Sequence, residues 1–279
     1  MEVVGRGGYS LVYRAFDRTT DAEVAVKVLF EYASQKEELE TRLEREYLAL
    51  IALEGTAALR ALGLCRQSGS LCLVMEFLHG QDFDAYLTDI ADQGLLVEPS
   101  TLLEFIGPIV ETLDVAHRRG IVHRDIKPGN VFILGRGGPG GVRLLDFGLS
   151  FVESATPITR DGVVIGSPSY IAPEVWEGHP RQLDHRVDVY SLGAVLFRAL
   201  AGRVPFPEPT LREKLEAVTS GKRPSLYALR PDLPAEIDSW VARALAIDRT
   251  ERFSSVRDMW DALLVLLGVG ARQRVSDPP

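Results

Sequence analysis

Positions 123 to 130 read His123-Arg-Asp-Ile-Lys-Pro-Gly-Asn130 and place a carboxylate, an ammonium and an amide close together in the chain. Asp146-Phe-Gly148 begins sixteen residues after Asn130, and Ala172-Pro-Glu174 follows further on. Either aspartate taken alone is best explained as a turn residue, because Asp favours turns. Together with Asn130, the two aspartates instead predict a functional site.

Two further motifs precede this region. Gly5-Arg-Gly-Gly-Tyr-Ser-Leu-Val12 is rich in glycine, which lets a backbone turn tightly and approach phosphates. Alone it is better explained as a hairpin turn, since Ser10 replaces the third glycine of the usual G-x-G-x-x-G pattern. Val24-Ala-Val-Lys27 places a lysine in an apolar strand, where it needs an anionic partner unless it points to solvent. Glu46, nineteen residues later, is the predicted partner.

These five motifs, in this order and spacing, resemble the signature set of the eukaryotic-type protein kinases, and most of all the bacterial members of the serine/threonine branch. The resemblance covers nearly the whole chain. It implies an α+β, bilobal protein-kinase fold, with a small antiparallel β-sheet lobe that contains one helix and a larger, mainly helical lobe. We therefore predict a kinase domain over residues 1–268, with lobes of residues 1–78 and 79–268, and a short flexible tail over residues 269–279.

The resemblance also implies an activity, the transfer of the γ-phosphoryl group of ATP to Ser and Thr hydroxyls of protein substrates, with ATP and Mg²⁺ as cofactors. Asp125 is the expected base that orients the substrate hydroxyl and accepts its proton. Lys127 is expected to neutralise charge on the transferred group. Asn130 and Asp146 are the expected magnesium ligands. Lys127 and Ser167 both resemble the serine/threonine branch rather than the tyrosine kinases.

The ATP site that the resemblance implies begins at the glycine-rich turn. Lys27 is expected to hold the α- and β-phosphates while Glu46 fixes its position. The full predicted set of ATP-binding residues is Val4, Gly5, Gly7, Val12, Ala25, Lys27, Glu46, Met75, Glu76, Leu78 and Phe132.

Within that set, apolar side chains are expected to enclose the adenine. Met75 takes the gatekeeper position, and backbone groups of Glu76 and Leu78 are expected to contact the edge of the base. The expected roof of the pocket is formed by Val4, Val12 and Ala25, and the expected floor is formed by Phe132.

Regulation is predicted from Arg124, which precedes the expected base. In family members with this pattern, activity often depends on a phosphorylated loop residue, because a lone guanidinium favours an anionic partner. We predict autophosphorylation at Thr159 and also at Thr156. The alternative is that Asp161 alone supplies the negative charge.

Periodicity predicts the remaining secondary structure. A helix is predicted to begin at a capping box, Thr101-Leu-Leu-Glu104, to run towards His117 and to be kinked at Pro108. The resemblance implies two structural supports, namely Asp188 under the catalytic loop and a Glu174–Arg252 ion pair. Strands are predicted over 10–16, 23–29, 61–65, 71–77, 131–134 and 142–145, and other helices over 35–53, 189–201, 211–219, 235–246 and 255–267.

Composition limits the partners and the compartment. The net charge of −8 and the pI near 5.3 argue against nucleic acid as a partner, since phosphate binding is driven by clustered Lys and Arg. The apolar stretch over residues 262–271 is shorter than the roughly 20 residues of a membrane helix. We therefore expect a cytoplasmic protein with no membrane segment.

Only Met1 to Val4 precede the glycine-rich turn, which indicates either missing upstream sequence or a misassigned start.

Cys65 and Cys72 are the only cysteines. A two-residue turn at Ser68-Gly69 would place them opposite each other in a hairpin, which allows a redox switch. Two reduced thiols in a cytosolic sheet are the favoured interpretation.

Two other function classes compete with an active protein kinase. A pseudokinase scaffold is disfavoured because every ionic position of the motif set is filled. A small-molecule phosphotransferase shares the metal-binding logic but usually lacks the Ala-Pro-Glu segment at residues 172–174 and the long loop before it.

Overall fold

The small lobe is built on a five-stranded antiparallel sheet. A computed structural model of the chain describes residues 2–7, 10–30, 36–67, 69–135, 141–147, 168–176 and 183–269. The strands of this sheet are β1 (Glu2–Arg6), β2 (Ser10–Asp17), β3 (Ala22–Leu29), β4 (Ala61–Gln67) and β5 (Ser70–Glu76). Their spatial order is β1-β2-β3-β5-β4, so β3, which carries Lys27, lies in the centre. The strands predicted in this part of the chain are confirmed.

One helix, α1 (Lys36–Ala52), packs on β4 and β5. Leu39, Leu43 and Leu50 recur at helical spacing and are all buried, whereas Ile51 is 41% exposed. The helix therefore presents one apolar face to the sheet. This packing brings Glu46, on the same helix, towards β3. The helix predicted over residues 35–53 is confirmed.

The larger lobe is mainly helical. A small sheet of β6 (Gly80–Asp82), β7 (Val131–Leu134) and β8 (Val142–Leu144) lies in its upper part, in the order β6-β7-β8. Its helices are α2 (Phe83–Asp92), α3 (Pro99–Arg118), α4 (Pro173–Trp176), α5 (Arg186–Ala201), α6 (Leu211–Thr219), α7 (Ile237–Ala244) and α8 (Val256–Leu266). In α5, 13 of the 16 residues are buried, so this helix is the centre of the lobe.

The two lobes are joined by the segment after β5. Gly80, where β6 begins, has a φ of +151°, and a Cβ at this position would lie 1.9 Å from the carbonyl oxygen of Ile133. A side chain there would force the two strands apart, so the close pairing of β6 with β7 requires glycine. The pairing fixes the start of the large lobe directly below the connecting segment.

The predicted start of the long helix of the large lobe is wrong. Helix α3 begins at Pro99, two residues before the proposed capping box, and its N-cap is Glu98, whose side chain caps nothing. Proline suits the first turn because its missing N–H has no partner there in any helix. Pro108 lies inside α3 as predicted, and its carbonyl accepts a hydrogen bond of 2.8 Å from Thr112 Oγ1.

The cysteine register is confirmed. Cys65 on β4 pairs with Cys72 on β5, and both thiols are free. Cys65 is exposed, and burial raises the pKa of the Cys72 thiol above its usual value.

None of the helices in the described ranges combines the length and the hydrophobicity that crossing a bilayer requires.

Candidate active site

The loop between α3 and β7 brings three of the predicted site residues together. Lys127 Nζ lies 2.7 Å from Asp125 Oδ2, and Asn130 Nδ2 lies 3.0 Å from the same oxygen. Asn130 Nδ2 also donates to the backbone carbonyl of Asp125 at 2.7 Å, which holds the loop in a tight turn. The side chains of Asp125 and Lys127 are about one quarter exposed, 26% and 25%, so a substrate can reach them.

A buried aspartate fixes the backbone of this loop. Asp188, in the first turn of α5, accepts hydrogen bonds from the backbone N–H groups of His123 (2.8 Å) and Arg124 (2.7 Å), as predicted. His117 Nε2 donates to the same carboxylate at 2.8 Å. Burial raises the pKa of Asp188, but the hydrogen bonds from His117 and from the loop outweigh it and lower the pKa below its usual value. The loop is thus anchored by an ionised carboxylate just before Asp125.

Lys27 is the cation of a three-residue cluster that spans the two lobes. Its Nζ lies 2.8 Å from Glu46 Oε1 and 2.8 Å from Asp146 Oδ1. The Lys27 and Glu46 side chains are only 15% and 12% exposed, whereas Asp146 is 53% exposed. The ion pair predicted between Lys27 and Glu46 is present, and Asp146 joins it from the large lobe.

The pKa values in this cluster follow from burial and charge. Burial acts against the charge of Lys27, but the carboxylates of Asp146 and Glu46 outweigh it and raise the Lys27 pKa above its usual value. Burial raises the pKa of Glu46 against the opposing effect of Lys27. The Lys27 ammonium lowers the pKa of Asp146. Both Lys27 and Asp146 are therefore charged at neutral pH.

Asp146 is held in a strained backbone conformation by its neighbours. Its φ is +45°, an uncommon value for a residue with a Cβ. Phe147 is buried, and its ring centroid lies 4.7 Å from that of His123. His123 Nε2 donates to the carbonyl of Leu145 at 2.9 Å, and burial lowers the His123 pKa, which keeps this imidazole neutral. His123, in the loop between α3 and β7, thus contacts the residues on both sides of Asp146.

Asn130 and Asp146 could hold a metal ion. The backbone N–H of Leu145 donates to the carbonyl of Asn130 at 2.8 Å, so the two candidate ligands lie on adjacent, bonded stretches. Asn130 uses its amide nitrogen to bond to Asp125, and Asp146 uses Oδ1 to accept from Lys27, so the candidate metal ligands are the other oxygens of these two side chains, Asn130 Oδ1 and Asp146 Oδ2. The described ranges contain no group of three or more His, Cys, Asp or Glu side chains able to hold a metal. Two oxygen ligands suit Mg²⁺, which takes its other ligands from water and from substrate phosphates.

The glycine-rich turn lies between β1 and β2. The N–H of Gly7 donates to the carbonyl of Ser10 at 2.9 Å, and a Cβ at Gly7 would lie 3.2 Å from Ser10 Oγ. Gly5 pairs with Val12, which places the predicted roof residue Val12 beside the turn. Val4 is 47% exposed on β1.

The remaining predicted adenine-site residues flank the connection between the lobes. Ala25 pairs with Met75 across β3 and β5, and both are buried. Phe132 is half-buried on β7. The backbone N–H and C=O of Leu78 make no hydrogen bond to another described residue, so both are open to a ligand.

Sequence reasoning missed the side-chain contacts of Glu76. Its carboxylate accepts hydrogen bonds from the N–H of Arg60 (2.8 Å) and from Arg143 Nε (2.9 Å). Arg143 is on β8, so this contact ties the connecting segment to the sheet of the large lobe. His117 was missed as well. Arg143 lies 67 residues from Glu76, and Asp188 lies 71 residues from His117, so no local pattern marks these two partners.

The Glu174–Arg252 ion pair is present as predicted. Arg252 donates from Nη1 and Nη2 to the two carboxylate oxygens of Glu174, each at 2.7 Å. The Arg252 side chain is fully buried. Gly148, the predicted phosphosites Thr156 and Thr159, and Ser167 lie outside the described residues.

Comparison with known proteins shows the family to which the chain belongs. Residues 1–263 match the model of the family described as the protein kinase domain. The chain belongs to the protein kinase family. Serine/threonine-protein kinase Pkn1 of Myxococcus xanthus is 32% identical over 271 residues, which cover 96% of this chain and 38% of the relative. PrkC of Bacillus subtilis, also named a serine/threonine-protein kinase, is 32% identical over 93% of this kinase and 39% of its own length.

Solved structures agree with the fold. The crystal structure of the Mycobacterium tuberculosis PknI kinase domain matches this kinase with a TM-score of 0.71 and 27% identity, and covers 95% of this chain and 94% of that one. The α+β bilobal fold and the resemblance to bacterial serine/threonine kinases are therefore confirmed. The kinase spans about two fifths of the length of the curated relatives just named.

Proposed function

We propose that this kinase transfers the γ-phosphoryl group of ATP to Ser and Thr hydroxyls of protein substrates. The observation that carries the proposal is the pair of polar clusters Lys27–Glu46–Asp146 and Asp125–Lys127–Asn130, which the hydrogen bond from Leu145 to Asn130 links through the backbone. Phosphoryl transfer needs positioned charges more than covalent chemistry, and these clusters supply them. Every ionic position of the motif set is filled, which argues against a pseudokinase.

Each charged side chain has a role that its contacts support. Asp125 orients the substrate hydroxyl and accepts its proton, since its carboxylate is partly exposed and held by Lys127 and Asn130. Lys127 also offsets charge on the transferred group. Lys27, held by Glu46, binds the α- and β-phosphates. When bound, Mg²⁺ neutralises phosphate charge, and Asn130 and Asp146 hold it.

The adenine is proposed to lie between Ala25 and Val12 above and Phe132 below. The open backbone groups of Leu78 support this position, because a base edge needs a donor and an acceptor from the protein.

The proposed location is the cytoplasm, where ATP is available, and the two free thiols agree with a reducing compartment.

The acceptor class is tested by offering acceptors side by side. Labelled ATP and Mg²⁺ are incubated with the kinase and with casein, a serine and threonine peptide pool, or aminoglycosides and small alcohols. We expect label on the protein and peptide acceptors. Label on small molecules alone would favour a small-molecule phosphotransferase, and nucleotide binding without transfer to any acceptor would favour a pseudokinase.

Metal dependence follows from the two candidate oxygen ligands on Asn130 and Asp146. Excess EDTA is expected to stop turnover, and Mg²⁺ added beyond the chelator is expected to restore it. Asp146→Ala removes one of the two proposed ligands and is expected to lower activity at least a hundredfold, since phosphate positioning is lost. Full activity in excess EDTA, together with an active Asp146→Ala variant, would contradict the assignment. Thermal unfolding of the variant, with and without EDTA, controls for misfolding.

Loop phosphorylation is proposed from the surroundings of Arg124. Its Nε is buried and has no hydrogen-bond partner in the described ranges, and burial lowers the pKa of the guanidinium. A phosphate near it would supply charge-assisted hydrogen bonds. The proposed acceptors are Thr159 and Thr156.

The double variant Thr156→Ala, Thr159→Ala is expected to lose activity severalfold, and phosphatase treatment of the wild type is expected to have the same effect. Mass spectrometry before and after phosphatase treatment locates the phosphates. Undiminished activity of the double variant would show that Asp161 alone, or no anion at all, orders the loop.

A further inference from the structure

A cavity of about 780 Å³ lies where the end of α1, the loop that follows it and α3 meet. Clefts and cavities of roughly 300–1,000 Å³ bind drug-sized molecules, so this volume is sufficient for one. None of the described residues that line the cavity belongs to either polar cluster of the proposed active site. This α1–α3 cavity is therefore separate from the site assigned to phosphoryl transfer.

Helix α3 turns one face to the cavity. Its lining residues follow the i, i+3, i+4, i+7 spacing of a single helical face and are Pro108, Glu111, Thr112 and Val115. Proline inside a helix removes a backbone hydrogen bond and is destabilising. Pro108, which the proposed phosphoryl transfer does not involve, forms part of the cavity wall.

The end of α1 and the loop after it supply a second, mainly apolar wall. Its apolar lining residues are Leu50, Ile51, Ala57, Ala58, Leu59 and Ala61. Ile51 is 41% exposed, so a ligand can reach this wall from the solvent. Burial of the apolar part of a ligand against these side chains would supply most of its binding free energy.

Hydrogen bonds hold the two walls together, so the cavity is preformed. The N–H of Ala57 donates to Thr112 Oγ1 at 3.0 Å, and the carbonyl of Ala57 accepts from the N–H of Leu144 on β8 at 2.7 Å. Thr112 Oγ1 in turn donates to the carbonyl of Pro108 at 2.8 Å. The loop after α1 is thereby bonded both to α3 and to β8. A preformed cavity spares a ligand part of the cost of ordering its site.

The charges around the cavity favour a cation. The charged lining residues are Glu54, Glu76, Glu111, Arg60 and Arg143. Glu76 and Arg143 offset each other, since Arg143 Nε donates to the Glu76 carboxylate at 2.9 Å. The exposed carboxylates of Glu54 and Glu111 then stand against the exposed guanidinium of Arg60. On a chain with a net charge of −8, this balance attracts cations rather than anions.

We propose that the α1–α3 cavity binds a small amphipathic cation, an apolar ring or chain that carries one ammonium or guanidinium group. The apolar part packs on the walls formed by α1 and α3, and the charged group lies near Glu54 and Glu111. Occupancy also changes the affinity for ATP, and this part of the inference rests on the proposed function. The link is Glu76, which lines the cavity and lies two residues before Leu78, whose backbone is proposed to hold the adenine.

Binding is tested on the complete chain with three naphthalene probes that carry an aminoethyl, a carboxyethyl or a neutral carbamoylethyl group. Isothermal titration calorimetry gives each Kd. The amine is expected to bind about three- to tenfold more tightly than the carboxylate, roughly the effect of one exposed ion pair. Added salt is expected to narrow this difference. Equal Kd values for amine and carboxylate, a tighter carboxylate, or no binding of any probe would overturn the inference.

Two tryptophan variants locate the probe. Ile51→Trp fills part of the cavity and is expected to weaken amine binding about fivefold or more, because less apolar surface is left for the ligand to bury. Leu48→Trp is the matched control, since Leu48 is 63% exposed on the same helix and does not line the cavity. It is expected to keep the wild-type Kd. The same loss of affinity in both variants would place the probe elsewhere and overturn the inference.

A second pair of variants tests the charge. Glu111→Gln is expected to reduce the preference for the amine over the carboxylate. Glu104→Gln is its control, because Glu104 is exposed on the same helix but outside the cavity, and it is expected to keep the preference. An undiminished preference in Glu111→Gln and in the matching Glu54→Gln variant would contradict the assigned cation.

The effect on ATP is measured by repeating the amine titration with saturating ATP and Mg²⁺. The Kd of the amine is expected to change about fivefold or more, and bound amine is expected to change the Kd of ATP by the same factor. An unchanged amine Kd in the presence of bound ATP would overturn the coupling. A protein that binds the amine as expected, but neither binds ATP nor transfers phosphate, would contradict the proposed function and support the cavity as a separate site.

Discussion

Replacing Asp125 by Asn is expected to lower the rate of phosphoryl transfer by about 10²- to 10⁴-fold, the usual contribution of a positioned general base. The amide keeps the shape of the carboxylate but cannot accept the substrate's proton. It also loses the charge that holds Lys127 Nζ at 2.7 Å. Nucleotide binding should change little, because Asp125 is assigned to the hydroxyl and not to ATP. Steady-state transfer and nucleotide titration by calorimetry measure the two effects separately.

Asp89→Asn is the matched control for that variant. Asp89 is exposed on α2 and belongs to neither polar cluster, so the same change is made outside the proposed active site. It is expected to transfer phosphate at the wild-type rate. An Asp125→Asn variant as active as this control would show that another group serves as base.

Replacing Lys27 by Met is expected to lower transfer by at least a hundredfold, since misplacing a reacting group by about 1 Å can already cost that much. The substitution also leaves Glu46, which is 12% exposed, beside Asp146 with no cation between them. Breaking a buried ion pair costs about 3–5 kcal/mol of stability, and the partial exposure of Asp146 reduces this. The expected result is an inactive protein with a lower Tm.

A second variant separates the two effects of that change. Lys27→Met with Glu46→Gln removes the unpaired buried charge, so the Tm is expected to recover in part. Activity is expected to stay lost because no cation holds the phosphates. Recovery of activity together with Tm would show that Lys27 acts only on stability.

The sequence predicted the parts of the site that depend on local motifs. The pairing of Cys65 with Cys72 followed from a two-residue turn, and the Lys27–Glu46 pair followed from an apolar strand that precedes an amphipathic helix. In these cases residues close together in the sequence determine which side chains meet. The contact of Asp188 with the catalytic loop came from the family resemblance.

Other contacts could not be predicted, because each joins elements far apart in the chain. Lys27 to Asp146 spans 119 residues, and Lys214 to Ser169 spans 45. Such contacts depend on how helices and sheets pack, which periodicity does not encode. The start of α3 was missed for a different reason. Two helix-start signals competed, and proline in the first turn prevailed over the capping box.

The most direct test of the account is to map where phosphate goes. Wild type and Asp125→Asn are incubated with ATP, Mg²⁺ and a protein acceptor, and phosphorylated residues on the kinase and on the acceptor are identified by mass spectrometry. The account predicts phosphoserine and phosphothreonine with the wild type and almost none with Asp125→Asn. ATP consumption by the wild type without phosphate on any Ser or Thr, or equal phosphorylation by both proteins, would contradict it.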